Sequence, residues 1–319
     1  MLTLLKLLAD GEFHSGQVLG QAMGITRAAV WKQLQQLEAE LGIETHKVRG
    51  RGYRLAHPLS LLDEDSLRKF GFPSSWSAHL QETVDSTNAQ AVRLVAQGAD
   101  TPLLVMAEQQ TAGRGRRGRK WVSPFAENLY YSLVLRVDGG MRQLEGLSLL
   151  VGLAVMEVLH SMGVSKAGLK WPNDVLVGDR KIAGILLELI GDPADVCHVI
   201  IGVGINANMR DCTEVDQAWT SMCIEQGNPV DRNELAGKIS RTLEELLVRH
   251  RVEGFAAFQE VWERAHLWQG REVTLLSGEN AIKGVVLGVD RLGALRLSVD
   301  GEERSFSGGE LSLRLRNDS

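Results

Sequence analysis

Apolar positions in the first 41 residues recur at helical spacing and then stop. Leu2, Leu4, Leu5, Leu7 and Leu8 supply a first helix, closed by Asp10-Gly11, and Ser15 stands where a second helix running to Met23 needs its N-cap. Gly24 permits a tight turn. Thr26 then caps a third helix in which Val30, Leu34, Leu37 and Leu41 fall on one face of a 3.6-residue period. After Gly42 the period changes. IETHKV and YRL are extended runs about the glycine-rich RGRG, which predicts a β-hairpin. Helix, turn, capped helix and hairpin together predict a winged helix-turn-helix over residues 1–59, with the helix-turn-helix itself in Gly16–Gln35.

Residues 56–73 read as a linker with a short helix, and the next pattern is mixed. Strands are predicted at His79–Val84, Leu103–Ala107, Leu129–Arg136, Val175–Val177, Lys181–Ile190 and Val196–Val203, and helices at Thr87–Gln97, Leu144–Met162 and Glu234–Arg251. The turn between LVGD and RKIAGILLEL makes at least one strand pair antiparallel, so residues 60–267 are α+β rather than a βαβ repeat. From Trp268, REVTLL, AIKGVVLGV, ALRLSV, ERSFS and ELSLRL alternate with glycine-rich turns, which suggests a small SH3-like β-barrel over 268–319.

Composition narrows the class. With 44% hydrophobic and 24% charged residues the chain is an ordinary globular one. Its formal net charge is −5, yet Thr26–Arg54 holds six Lys or Arg against three Asp or Glu. The polar side of the third helix carries Arg27, Lys32, Gln35 and Gln36, types that meet phosphates and base edges, and the wing tip carries Arg49 and Arg51. DNA binding is one reading of this segment; a small helical domain with a solvated charged face is the other. Trp31 is either half-buried against the wing or a neighbour of the bases. Three cysteines without CxxC spacing point to a reducing compartment and away from a zinc site. No apolar run approaches the length of a membrane span, so a soluble cytoplasmic protein is expected, with no membrane partner.

The candidate chemistry lies between residues 85 and 206. In Arg114–Lys120 five of seven residues are cationic, interleaved with glycine: a nucleic-acid arm, a phosphate cradle or a solvated loop. Gly113, Gly115 and Gly118 satisfy GxGxxG, but no apolar strand stands immediately before them and Pro124 spoils a following helix, so a dinucleotide fold is not expected. DSTN (Asp85–Asn88) sits where a strand meets a helix and reads either as plain N-capping by Ser86 or Thr87 or as a set of ligand-binding polar groups. KWPND (Lys170–Asp174) joins a cation, an aromatic, a rigid turn and two side-chain oxygens. Lys181, at the mouth of an apolar strand, either snorkels or serves as a fixed cation.

DSTN, QQTAGRGRRGRKW, SPF, NLY, KWPND, RKIAGIL and IGVGIN, in this order and spacing, resemble the biotin–protein ligases. The winged helix ahead of them makes the resemblance that of the bifunctional form, the biotin operon repressors, and it covers essentially the whole chain. It implies a central mixed α/β domain of the class II synthetase and lipoate-ligase type. It also implies a two-step reaction: biotin and ATP, with Mg²⁺, give biotinyl-5′-adenylate, and a lysine of a biotin carboxyl carrier protein of acetyl-CoA carboxylase then attacks it. By motif, Ser86, Thr87, Asn88 and Gln110 are implied to bind the biotin head group. Arg114, Gly115, Arg116 and Lys181 would meet its carboxylate and the adenylate phosphate, with Lys181, Arg116 and Arg114 catalytic. Lys170, Asn173 and Asp174 fit the triphosphate, Asp174 also the Mg²⁺; Gly204, Asn206, Trp219 and Arg314 fit the nucleotide; Arg119 and Trp121 would close over the product. Ordering the nine residues Gly113–Trp121 costs on the order of 10 kcal/mol, so the tract is expected to be mobile without ligand. The adenylate is implied to act as co-repressor, ordering loops that favour a homodimer on a two-fold operator DNA. A biotin sensor that has lost ligation, and a ligase for another acid such as lipoate, are the competing readings. Retention of Lys181 and the Arg–Gly tract weighs against the first, and the tract together with KWPND against the second.

Overall fold

The computed structural model describes residues 2–138, 140–192, 196–278, 280–308 and 311–315, with backbone alone at 141 and 142. The N-terminal unit comprises α1 (Leu2–Leu8), α2 (Gly16–Met23), α3 (Arg27–Leu41), β1 (Thr45–Val48) and β2 (Gly52–Leu55). Ser15 Oγ accepts from Val18 N at 3.1 Å and Thr26 Oγ1 from Ala29 N at 3.2 Å, so both expected caps are made. Gly24 and Gly42 close α2 and α3 in the left-handed conformation. β1 and β2 pair antiparallel, and His14 adds a backbone pair with Tyr53. Gly52 has φ +108° and lies against the His14 backbone, where no side chain fits. Leu4, Leu8, Leu19, Val30, Leu34, Leu37 and Leu55 form the core, and Phe125 and Ala126 of the central unit belong to it. Trp31 is half-buried on α3, 47% exposed.

The central unit is α4 (Glu64–Lys69), β3 (Ser77–Val84), α5 (Thr87–Ala96), β4 (Leu103–Gln110), β5 (Leu129–Val137), α6 (Leu147–Ser161), β6 (Ala167–Lys170), β7 (Asp174–Val177), β8 (Arg180–Gly191), β9 (Cys197–Ile205), α7 (Met222–Gln226), α8 (Arg232–Glu253) and α9 (Gln259–Ala265). Seven strands form one sheet in the order β3-β4-β5-β9-β8-β7-β6, with only β3 and β4 parallel. α5 covers one face through Ala91, Leu103, Val105, Val134 and Ile200. α6 and α8 pack on each other over the larger core of the other face. α6 is apolar on most of its surface and buried there, with Glu157, His160 and Ser161 exposed toward its C-terminal end. It starts at Leu147 rather than Leu144, because Gly146 at φ +66° lies under the Phe255 ring. β6 was not anticipated: four residues running straight into a turn carry no period of their own.

The C-terminal unit has the five expected strands, β10 (Glu272–Ser277), β11 (Asn280–Val289), β12 (Leu295–Val299), β13 (Glu302–Phe306) and β14 (Leu311–Leu315), in an antiparallel sheet ordered β13-β12-β11-β10-β14. Among the described residues no helix is long and apolar enough to cross a membrane.

At the junction of the last two units, His266 stacks on Trp262 and accepts a hydrogen bond from Trp171 N at 3.4 Å. Burial pushes its imidazole down to about 4. A histidine whose folded pKa lies below the unfolded value binds its proton more readily when unfolded. Stability is therefore lost as pH falls from about 6.5 toward 4. Between pH 7 and pH 5 this one group is expected to remove about 2 kcal/mol. Urea unfolding at the two pH values should show that difference, and His266→Gln should diminish it.

Candidate active site

The site is built on glycines in register. Gly184 on β8 pairs with Gly204 on β9, and Leu186 pairs with Gly202. On the α5 side of the sheet these three positions leave a floor without side chains. A Cβ on Gly202 would stand 2.5 Å from Asn88 Oδ1, one on Gly204 2.5 Å from Trp121, and one on Gly184 3.0 Å from Lys181 Nζ. The glycines of IGVGIN and RKIAGIL are thus required by close approach, not by turns.

Over this floor α5 begins. Ser86 occupies the N-cap position but makes no side-chain cap, so the capping reading of DSTN does not hold. Thr87 N and Oγ1 instead donate to Gln110 Oε1 at 2.9 and 3.1 Å, and Gln110 Nε2 donates to Ser123 Oγ at 3.0 Å. Ser132 Oγ lies 2.6 Å from Asn88 Oδ1 and 2.8 Å from Thr87 Oγ1, while Asn88 Nδ2 donates to Glu188 Oε2 at 2.6 Å. The chain of bonds fixes the orientation of both amides. Ser86, Thr87 and Asn88 are each 4% exposed. Together with Gln110, Arg114, Gly115 and Arg116 they enclose a small cavity of about 60 Å³. Gly202→Ala is expected to displace Asn88 and raise KM for the ligand of this cavity about tenfold or more. KM for a nucleotide should stay unchanged, read by steady-state kinetics with each ligand varied.

A second cavity, of about 330 Å³, adjoins it; Gly115, Arg116, Trp121, Asn173 and Lys181 line both. Here the bulged β7–β8 pairing brings Lys181 Nζ to 2.6 Å from Asp174 Oδ1, both groups mostly buried. Lys170 Nζ lies 3.9 Å from Asp174 Oδ2. Burial lowers the Lys170 pKa, and Lys181, Arg314 and Arg119 lower it further against the attraction of Asp174. Arg116 donates to Asn173 Oδ1 at 2.8 Å and to the Leu311 carbonyl at 3.2 Å, and Asn173 Nδ2 donates to Ile185 O. Asn206 donates to the carbonyl of Thr220 at 2.9 Å, and Trp219 bridges to Lys181 through the backbone. Arg119, Trp219 and Arg314 complete the wall.

Gly113–Trp121 forms the roof. Arg114 and Lys120 bridge, Gly115 N donates to Arg119 O at 2.7 Å and Trp121 N to Gly113 O at 2.9 Å. Arg117 and Gly118 take positive φ at the tip. The Trp121 ring lies against Gly204 with Lys181 Nζ 5.5 Å from its centroid, and its buried Nε1 has no acceptor. Trp121 lines both cavities, so this unpaired donor lies in the wall between them. Lys120 reaches Glu214 at 2.6 Å across the opening.

The structure therefore gathers every small-molecule candidate into two joined cavities. The candidates for DNA lie apart: Arg27, Lys32, Gln35 and Gln36 are exposed on α3, and Arg49 and Arg51 at the wing. Arg51 stacks on Phe13, 4.3 Å from its centroid. Sequence reading missed Ser132, Glu188, Gly184 and Gly202. Ser132 had a signal, a lone hydroxyl in the apolar run YYSLVL; Glu188, 100 residues from Asn88, had none.

The arrangement suits one kind of chemistry. The narrow pocket, lined by hydroxyls and amides, suits a neutral hydrogen-bonding group, and Arg116 and Lys181 stand where it adjoins the larger cavity. Such cations can draw two anions together. Three family models match the chain: HTH domain at residues 1–54, Biotin/lipoate A/B protein ligase family at 80–206, and Biotin protein ligase C terminal domain at 269–314. The chain is similar to the bifunctional ligase/repressor BirA of Escherichia coli, 41% identical over 98% of this chain and 97% of the relative. It is similar to that of Bacillus subtilis at 32%, over 96% and 95%. Among solved structures it resembles the biotin protein ligase of Aquifex aeolicus in complex with biotin and ATP, with TM-score 0.66 and 32% identity, over 75% of this chain and 99% of that one.

Proposed function

The chain belongs to the biotin protein ligase family, and from that membership we propose that it is an ATP-dependent biotin–protein ligase that also represses transcription through its winged helix. The observation that carries the enzymatic reading is the shared wall of the two cavities. Biotin's ureido ring is held by Ser86, Thr87, Asn88 and Gln110, which place its carboxylate at Arg114, Gly115, Arg116 and Lys181. ATP fills the larger cavity, its triphosphate at Lys170, Asn173 and Asp174. Its adenosine lies by Asn206 and Trp219, and Arg314 and Arg119 add positive charge. The carboxylate oxygen attacks the α-phosphorus and pyrophosphate leaves, giving biotinyl-5′-adenylate. A lysine of a biotin carboxyl carrier protein then attacks the acyl carbon and AMP leaves.

Mg²⁺ neutralises the triphosphate in this reading. Asp174 is the carboxylate available to it, and a Mg²⁺ ion commonly takes one or two carboxylates with substrate phosphates completing its shell. Among the described residues no group of three or more His, Cys, Asp or Glu side chains is placed to hold a metal ion. Incubation with labelled biotin, ATP, Mg²⁺ and an apo carrier domain tests the assignment. Label should pass to the carrier, and its absence, or equal transfer of lipoate, overturns it.

The three units, 1–59, 60–267 and 268–319, act in the cytoplasm as a homodimer promoted by the adenylate, presenting two helices α3 and two wings to an operator. What supports the link is a chain connection: Phe125 and Ala126, just past the Gly113–Trp121 roof, lie in the core of the DNA-binding unit. Gel shifts on the promoter of the biotin synthesis genes should tighten with biotin and ATP together. Binding indifferent to both removes the co-repressor role.

A further inference from the structure

Lys170 is approached from two sides, and only one belongs to the motifs that mark the site. On the motif side its carboxylate neighbour is Asp174, at 3.9 Å, and Asp174 is itself engaged at 2.6 Å by Lys181. On the other side its ammonium lies over the indole of Trp268, 4.6 Å from the ring centroid. Trp268 is 5% exposed and is carried on a segment bonded to the edge of the large sheet. Leu267 N donates to Leu169 O at 2.9 Å, His266 accepts from Trp171 N, and the Trp171 indole donates to Gly293 O at 3.1 Å. His266 is in turn stacked on Trp262, 4.8 Å between centroids. Contacts from the junction and from the C-terminal unit thus converge on Leu169, Lys170 and Trp171. A lysine stem has several rotatable bonds, so an ammonium without a close carboxylate needs another surface to stay in one place. An indole face is the strongest neutral surface for that purpose.

We propose that Trp268 is a positioning residue for the nucleotide half of the reaction, its indole face holding the Lys170 ammonium at the wall of the larger cavity. The junction segment His266–Trp268 fixes the backbone that carries Lys170. The inference rests on the reading of Lys170 as a triphosphate-binding cation, and it gives the C-terminal unit a part in ATP binding beyond the wall residues it contributes.

The test is biotin-dependent ATP–pyrophosphate exchange on the full-length protein, with ATP and biotin varied separately. Trp268→Leu keeps an apolar filling but removes the π face, and is expected to raise KM for ATP roughly fivefold with KM for biotin within about twofold. Trp268→Phe keeps a π face and should return most of that loss. Lys170→Met should raise KM for ATP at least as much, and adding Trp268→Leu to it should cost nothing more. Equal effects of Leu and Phe, a parallel rise in both KM values, or additivity with Lys170→Met would reduce Trp268 to core filling and overturn the proposal. Should Lys170→Met leave KM for ATP unchanged, the reading of Lys170 falls and takes the inference with it. A rise in Lys170→Met alone, with Trp268→Leu silent, sinks only the inference.

Discussion

Lys181→Ala is expected to lower the rate of biotin-dependent pyrophosphate exchange by about 100- to 1000-fold, the range found when one preorganised charge-stabilising donor is removed. The reason is electrostatic. Activation brings a carboxylate against a phosphate, and the Lys181 ammonium stands where both cavities open, 2.6 Å from Asp174 and largely shielded from water. In such surroundings a fixed cation counts for far more than in solvent. The fold should survive, because Lys181 holds its neighbours by backbone: its N donates to Ala218 O and its O accepts from Thr220 N. Lys181→Arg should not rescue, since Gly184 and Trp121 crowd the stem and a guanidinium is larger than an ammonium. Transfer from supplied biotinyl-5′-adenylate should suffer less, because the anhydride is already made. Exchange within threefold of the parent protein would remove Lys181 from the mechanism.

The sequence disclosed those parts of the fold that local rules govern. Ser15 and Thr26 cap the helices they were expected to cap, and the stripe Val30, Leu34, Leu37 is the buried face of α3. The long strands were legible from their apolar runs, with ends misplaced where ladders extend past the hydrophobic stretch, as β9 does to Ile205. Short elements were lost: β6 has four residues and no period. At the site, the motifs supplied the residues but not their reasons. IGVGIN entered only as part of a motif, and nothing local shows that Gly202 and Gly204 are there for the approach of Asn88 and Trp121 from elements far away in the chain. Ser86 looked like a cap because any hydroxyl before a helix does, and only the Thr87–Gln110 bonds decide otherwise. Trp268 and Glu188 act across long separations, and such partners have no local signal.

Arg232 shows how much such a long-range partnership can carry. It is the first residue of α8, where a cation is disfavoured by the helix dipole. It is fully buried. Its guanidinium donates to the carbonyls of Ser60 and Asn128 and to Glu108 Oε2, while Glu108 Oε1 accepts from Leu62 N at 2.6 Å. The pair thereby ties the segment leading from the DNA-binding unit to β4 and to the start of α8. Asn128 extends the tie, accepting from Ala207 N at 3.0 Å beside Asn206 of the larger cavity. Arg232→Met fills the space but leaves Glu108 charged, buried and facing carbonyl oxygens, and is expected to cost about 3–5 kcal/mol in urea unfolding. Adding Glu108→Gln neutralises the stranded charge and keeps an acceptor for Leu62, so the double variant should be more stable than Arg232→Met alone by about 1–2 kcal/mol. A single variant that loses less than about 1 kcal/mol would mean that the pair is solvated and not a buried tie. A double variant no better than the single would mean that the lost bonds to Ser60 and Asn128, and not the unpaired carboxylate, set the cost.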